Sequence, residues 1–420
     1  MLVKWKESVV FRQEAFGASV YVRERDDIFV IDKHISIFLS GLSNKWIKTD
    51  LNVEGITALA KLGIIYAKLP DGSMIKQTSY SGVHLLGDFK SLPIVKEPLL
   101  VNCFATSWCP LKCVYCHADD LMTQQIRKDE DGQQIEKVAE IARQMGALTY
   151  VVTGGDPLTM PKRSIRLLEK LPAESGTVID TSGVGKIEDI TDILSVRPSH
   201  LRISIDSMDP RINRKTRPGN KRSFPGFFEG GKQSLNFADE MIDVALKYAI
   251  GLSVQTVVTS LNDSFEHMIG FRDWLSSRGV KNWILHTVVD AGSAHRVLNS
   301  KSKKSSLSKP RTLFPGPDTQ KMLQKLVDHS VEKDIDMDIR ITNASSSPNS
   351  VFLVGSAGNL FVQGFGSSCG KKQVVDLEKK PKLELWSMYS DAGHVSRYTN
   401  LDVSSQSESF SVNLHPIKSA

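Results

Sequence analysis

The chain lacks the features that would tie it to a membrane or to an oxidising compartment. No apolar run approaches the roughly 20 residues needed to cross a bilayer. The opening MLVKWKESVV has neither the apolar stretch nor the small-residue cleavage site of a signal peptide, so a cytoplasmic protein is expected. Five cysteines in 420 residues are too few for a disulfide framework, which excludes a small cross-linked secreted scaffold. The net charge of +6 is too modest to single out nucleic acid or a membrane surface as partner, although it permits an acidic or phosphate-bearing one. What remains, with 40% hydrophobic and 24% charged residues, is an ordinary globular composition. The length calls for a barrel-sized domain plus one or two smaller ones.

Against that sparse background, three of the five cysteines crowd into Cys109-Pro110-Leu111-Lys112-Cys113-Val114-Tyr115-Cys116. Thiolates so close together can pair as disulfides, hold zinc, or hold iron and sulfur. A zinc ribbon would require a second cysteine pair at similar spacing, and the sequence has none. Three ligands from one loop leave a tetrahedral zinc or a four-iron cluster one ligand short, and a missing ligand is an open coordination site.

Taken in order, residues 1–92 read as a separate domain. Ser19–Arg23 and Ile28–Asp32 alternate as strands around the charged turn Glu24–Asp27. Lys33–Leu42 and Asn52–Leu62 carry helical spacing, and Gly63 stops the second helix before Ile64–Lys68, a winged-helix-like α+β pattern. From residue 99 strands and helices alternate with short connections, which predicts parallel βαβ units. The expected strands are Leu99–Thr106, Leu148–Thr153, Thr177–Asp180, His200–Asp206, Leu252–Thr259 and Asn282–Val289. The expected helices include Gln134–Met145, Ser164–Leu171, Asp239–Tyr248 and Glu266–Arg278. Parallel sheets place their chemistry at the carboxyl ends of strands, and the cysteine loop follows the first of these directly.

The C-x3-C-x2-C spacing, with Tyr115 before the last cysteine, resembles the signature of radical S-adenosylmethionine (SAM) enzymes. The resemblance implies a partial (βα)6 barrel over residues 93–300 and a 4Fe–4S cluster bound by Cys109, Cys113 and Cys116. In that family the fourth iron chelates the amino and carboxylate groups of SAM, and one electron splits SAM into methionine and a 5′-deoxyadenosyl radical. The resemblance extends to successive strand ends. Gly154, Gly155 and Asp156 match the glycine-rich segment that receives the SAM ammonium, with Asp where the family more often has Glu. Ser182 stands in place of the family's Asn, and Ser204 and Asp206 match groups near the ribose and methionine. Val257 falls along the adenine, and the segment after it, to Asn262, matches the family's Val-Thr-x-x-Asn ending. Arg217, with Arg214 as rival, matches the arginine that pairs with the SAM carboxylate.

The two ends resemble peptide maturases of the same superfamily. Residues 1–92 look like their peptide-recognition domains, in which an extended leader peptide adds to a sheet edge. Residues 301–420 resemble a SPASM-like C-terminal extension opened by the hairpin Val351–Val354 and Asn359–Gln363, but only Cys369 lies there, so no auxiliary cluster can be ligated. Residues 291–317 hold six basic residues and no acidic one, and read as a surface loop. The resemblance implies a ribosomal precursor peptide as substrate, modified by epimerisation or cross-linking, and an electron donor such as flavodoxin or ferredoxin. Cys369 would be a buried small hydrophobe or the thiol that returns a hydrogen to the peptide. The rival readings are a radical SAM enzyme acting on a small molecule, such as a nucleotide or cofactor precursor, and a non-catalytic iron–sulfur protein.

Overall fold

The computed structural model describes residues 1–49, 52–77, 85–87, 89, 93–123, 132–220, 231–299, 313–342, 351–364 and 370–374. The N-terminal region comprises β1 (Leu2–Trp5), β2 (Val9–Gln13), β3 (Gly17–Val22), β4 (Asp27–Asp32), α1 (Lys33–Ser40), β5 (Ile47–Lys48), α2 (Val53–Lys61), β6 (Ile65–Lys68) and β7 (Leu85–Leu86). These form a three-stranded sheet in the order β5-β1-β6 and a four-stranded sheet in the order β2-β3-β4-β7. Both helices start where the sequence offers a cap: Asp32 accepts from the Ile35 amide and Asn52 from the Glu54 amide. Their apolar faces, including Ile35, Leu39, Ile56 and Leu59, close a core with Val20, Phe29 and Ile31 of the β3–β4 hairpin.

The rest of the chain builds one ten-stranded sheet. Its elements are β8 (Leu100–Thr106), α3 (Gln133–Met145), β9 (Thr149–Gly154), α4 (Pro161–Lys170), β10 (Gly176–Thr181), α5 (Ile187–Ser195), β11 (His200–Ser204), α6 (Pro210–Thr216), α7 (Gly231–Lys247), β12 (Gly251–Val258), α8 (Phe265–Ser277), β13 (Asn282–Thr287), α9 (Gly292–Asn299), α10 (Thr319–Glu332), β14 (Asp338–Thr342), β15 (Val351–Val354), β16 (Leu360–Gly364) and β17 (Gly370–Val374). The order is β14-β13-β12-β11-β10-β9-β8-β15-β16-β17. Every pairing from β14 to β15 is parallel, and only β16 and β17 run antiparallel. Helices cover this sheet because their apolar residues recur on one face, as Ile135, Val138, Ala139, Ala142 and Met145 do on α3.

Three expectations change here. The parallel run is longer than six strands, because β14 adds beyond β13 and β15 adds beside β8. The boundary drawn at residue 300 therefore falls inside the sheet, and the hairpin read as the start of a separate extension belongs to it. Its Phe352, Val354, Leu360 and Val362 enter the same core as Val101 and Val151, which is why it docks there. The basic loop also begins as a helix: α9 takes residues 292–299, and its Arg296 is ion-paired with Asp119. Residues 300–312 lie outside the described residues.

The N-terminal region is not held apart either. Val10, Tyr21, Ile28 and Val30 lie in the large core, and the tip of the β3–β4 hairpin reaches the amino ends of the parallel strands. There Asp26 takes both Nε (2.5 Å) and Nη2 (2.8 Å) of Arg202. The Arg23 carbonyl lies 2.8 Å from Nδ1 of His200, and Arg25 donates to Asp338 at 2.6 Å. Arg340 pairs with Asp27. A second anchor is Arg12 of β2, which donates to the carbonyls of Glu97 (2.8 Å), Pro98 (2.9 Å) and Gly146 (3.1 Å). Removing one member of a buried ion pair leaves the other charge uncompensated, at about 3–5 kcal/mol. Asp26→Ala is accordingly expected to lower the unfolding free energy by about that amount in urea titrations. A variant as stable as the parent would show that this pair does not seat the hairpin.

Candidate active site

The cysteine loop follows β8 and is held from three sides. The return from α6 zips against it: the Lys112 amide donates to Pro218 O (2.7 Å), Val114 to Thr216 O (2.9 Å) and Asn220 to Pro110 O (2.7 Å). The start of α9 closes the far side, with the Ser293 amide on Cys116 O at 2.9 Å. Gly155 closes the near side. A methyl at that position would run into the Trp108 carbonyl, so only glycine lets the β9 turn lie against the loop. Cys109, Cys113 and Cys116 are thus presented together over the sheet. Among the described residues, no three His, Cys, Asp or Glu side chains already converge as a metal site. Burial pushes the Cys109 and Cys113 thiols up from their ordinary range. For Cys109 the nearby Asp156 and the other two cysteines add to that, whereas the guanidinium of Arg217 opposes it at Cys113.

The polar residues expected at strand ends all reach this region, but several are already engaged with protein. Asp156 is buried and accepts from the Leu158 amide (2.9 Å), the Ser182 amide (2.7 Å) and Thr181 Oγ1 (2.9 Å). It acts as a clasp between β9 and β10. Burial raises its pKa and these donors oppose the rise. Asp206 accepts from Tyr115 OH at 2.6 Å and from the Val257 amide at 3.2 Å, so it ties the cysteine loop to β12. Burial, with the Asp206 charge second, pushes the Tyr115 phenol well up, and it stays a donor.

Of the two candidate arginines, Arg217 is buried at the site and Arg214 is exposed on α6. Arg217 donates to Ser204 O and, at 3.0 Å, to Ser182 O, and its Nε has no acceptor among the described residues. Ser204 and Val257 line a cavity of about 330 Å³ that runs from Cys113, Tyr115 and Cys116 down to the hairpin tip. Cys103 lies in the core, its thiol pushed up by burial, and takes no part. Cys369 lies outside the described residues.

Sequence reasoning overlooked two groups. Asn213 is the first: it accepts from the Asp206 amide at 3.2 Å from within α6, where nothing in the pattern marks it. Asn262, noted only as a motif ending, secures the next turn by donating to Asp206 O (2.9 Å) and Val257 O (3.1 Å). The second group is the cavity wall formed by Tyr21, Asp26, Asp180, Arg202, Gln255, His286 and Arg340. Part of it was legible, since Asp180 and Arg202 lie two residues before Ser182 and Ser204 and so share their side of each strand.

Three thiols on one loop at the carboxyl end of a parallel strand, above an enclosed polar cavity, define an α/β enzyme built to hold a cofactor through thiolates. The comparisons specify which kind. Residues 104–272 match the radical SAM superfamily. The chain is similar in fold to Streptococcus suis SuiB bound to precursor peptide SuiA, with 14% identity over 93% of this chain and 89% of that one and a TM-score of 0.52. The same protein bound to S-adenosylmethionine matches at 14% identity and equal coverage, with a TM-score of 0.51. A looser likeness, TM-score 0.49 at 17% identity, is to native anSMEcpe with bound AdoMet, over 70% of this chain and 82% of that one. The chain carries a radical SAM domain and is a radical SAM enzyme. That class implies SAM and an iron–sulfur cluster. No helix among the described residues is long and apolar enough to cross a membrane.

The clasp role of Asp156 has a measurable consequence. Each buried donor that loses its acceptor costs about 1–3 kcal/mol, so Asp156→Ala should lower the urea midpoint as well as any ligand affinity. Loss of SAM affinity at unchanged stability would instead mean that the carboxylate faces the ligand.

Proposed function

We propose that the chain cleaves SAM reductively with a 4Fe–4S cluster on Cys109, Cys113 and Cys116 and uses the radical to modify a ribosomal precursor peptide. The observation that carries this is the thiol-bearing loop placed over an enclosed cavity whose rim is made of Gly154, Gly155, Ser182, Ser204, Asp206 and Val257. When bound, the cluster supplies the electron that splits SAM into methionine and a 5′-deoxyadenosyl radical. The residues fit that load. Three soft donors suit iron and leave one coordination position for the substrate, and binding would displace the protons that burial now holds on Cys109 and Cys113. The Arg217 guanidinium, with its free Nε, is placed to meet a carboxylate. Ser204 and Val257 bound the space for a nucleoside, and the closed floor keeps water from the reacting atoms.

Residues 1–92 would capture the leader of the precursor as an added strand at the end of one of their small sheets, leaving the core peptide to reach the cavity. A flavodoxin or ferredoxin would deliver the electron. If the product is an inverted residue, the Cys369 thiol would return the hydrogen; a cross-linked product would need no such donor. The similarity in fold to a protein solved with its precursor peptide favours a peptide over a small molecule.

Two measurements test the proposal. Cys113→Ala, reconstituted anaerobically, is expected to lose cluster iron and all SAM cleavage, and an active variant would overturn the assignment. Parent enzyme that binds iron and SAM but forms no 5′-deoxyadenosine under reduction would support a non-catalytic iron–sulfur protein. In Arg217→Ala, removal of a charge-assisted hydrogen bond should weaken SAM binding about tenfold to a hundredfold at unchanged iron content.

A further inference from the structure

The floor of the cavity lies opposite the cysteine loop and is built from parts distant in sequence: Tyr21 and Asp26 of the β3–β4 hairpin, Asp180 of β10, Arg202 of β11 and Arg340 of β14. Buried charges need partners, and most of these have them. Asp26 occupies both Nε and Nη2 of Arg202 and also accepts from Tyr21 OH at 3.1 Å. Arg340 pairs with Asp27 and lies near Asp26 at 3.6 Å, and Arg25 pairs with Asp338. The three guanidinium groups of Arg25, Arg202 and Arg340 thus face three carboxylates, and Asp180 makes a fourth.

Asp180 accepts no hydrogen bond from any described residue, although it stands beside Arg202 on the neighbouring strand, where the two are register partners. The guanidinium fork that would otherwise serve it has been turned to the hairpin. Its pKa is pushed up to about 6, first by burial and then by Asp26 and Asp156, against the pull of Arg202 and Arg217. At neutral pH such a group remains an anion with empty acceptor positions, directed into a cavity that also contains the reacting end of the site.

We propose that the floor is a recognition site for a basic group of the substrate, an ammonium or guanidinium that pairs with the carboxylate of Asp180 while Asp26 of the N-terminal hairpin holds Arg202 away from it. The charge surplus favours a cation over a neutral amide, and the distance between floor and cysteine loop would set which part of the substrate faces the radical. In this arrangement the N-terminal region takes part in specificity from inside the barrel, apart from any leader it binds. The inference rests on the proposed function only in taking this cavity as the substrate chamber.

The probes are n-butylammonium, n-butylguanidinium and neutral butanamide, followed by ligand-observed saturation-transfer NMR on the cluster-loaded, SAM-bound enzyme. Expected is binding of at least one cation, with butanamide at least tenfold weaker. Asp180→Asn should weaken the cation at least tenfold, and Asp180→Glu should retain most of the binding. Thermal melts of both variants establish that each is folded, and Asp180→Glu carries the test if the Asn variant is not. Equal binding of butanamide, cation binding unchanged in Asp180→Asn, or no binding of either cation would overturn the floor site. None of those outcomes alters 5′-deoxyadenosine formation without substrate, so failure of the floor site and failure of the proposed function read out separately.

Discussion

A parallel strand that ends beneath a loop leaves amides and carbonyls with no neighbouring strand to receive them, and buried backbone groups cannot stay unpaired. The site is organised by the way this demand is met. Arg217 takes the carbonyls that end β10 and β11, and Asp156 takes the amide of Ser182. Asp206 receives the Val257 amide, and Asn262 takes the carbonyls of Asp206 and Val257. Each of these side chains comes from a different βα connection. Satisfying the strand ends therefore also stitches the connections together and sets the height of the cysteine loop through Tyr115 and the segment after α6.

The opposite end of the barrel meets a second form of the same constraint. The amino ends of β11, β13 and β14 present His200, Arg202, Asn282, Asp338 and Arg340, and groups of this polarity are costly to bury alone. A hairpin whose turn carries Arg23, Arg25, Asp26 and Asp27 matches them in both charge and backbone: Asn282 donates to Glu24 O at 3.1 Å, and His200 meets Arg23 O. Closure of the barrel by a segment nearly two hundred residues distant is thus an electrostatic fit more than an apolar one. The resulting cavity is bounded above by thiols and below by a domain that the sequence alone placed elsewhere.

Local physics made much of this readable. Period-two and period-3.6 patterns located the first six parallel strands of the large sheet and most of its helices to within a residue or two, with Gly63 and the Asp32 and Asn52 caps marking ends in the N-terminal region. The cysteine spacing, and the glycines and acids at successive strand ends, located the site because those residues are needed for their own chemistry, whatever their surroundings. The strand β14 and the docking of β15 were missed, since a short apolar run looks the same whether it pairs within a hairpin or joins a sheet begun 250 residues earlier. The role of Asp156 could not be read either, because a carboxylate at a strand end serves a ligand or a backbone amide with the same residue type.

What the sequence by itself determined was the class of chemistry, because three thiols in eight residues restrict what can be bound. It also determined the alternating α/β layout, because side-chain periodicity is set by backbone geometry. What only the tertiary structure decided was which charges remain over. Whether Arg202 serves Asp180 or Asp26 depends on a turn near the chain's start folding back to the barrel floor, and a pairing across that separation leaves no trace in local pattern. The difference is physical: local geometry is encoded within a few residues, whereas the balance of buried charge is a sum over everything the fold brings together.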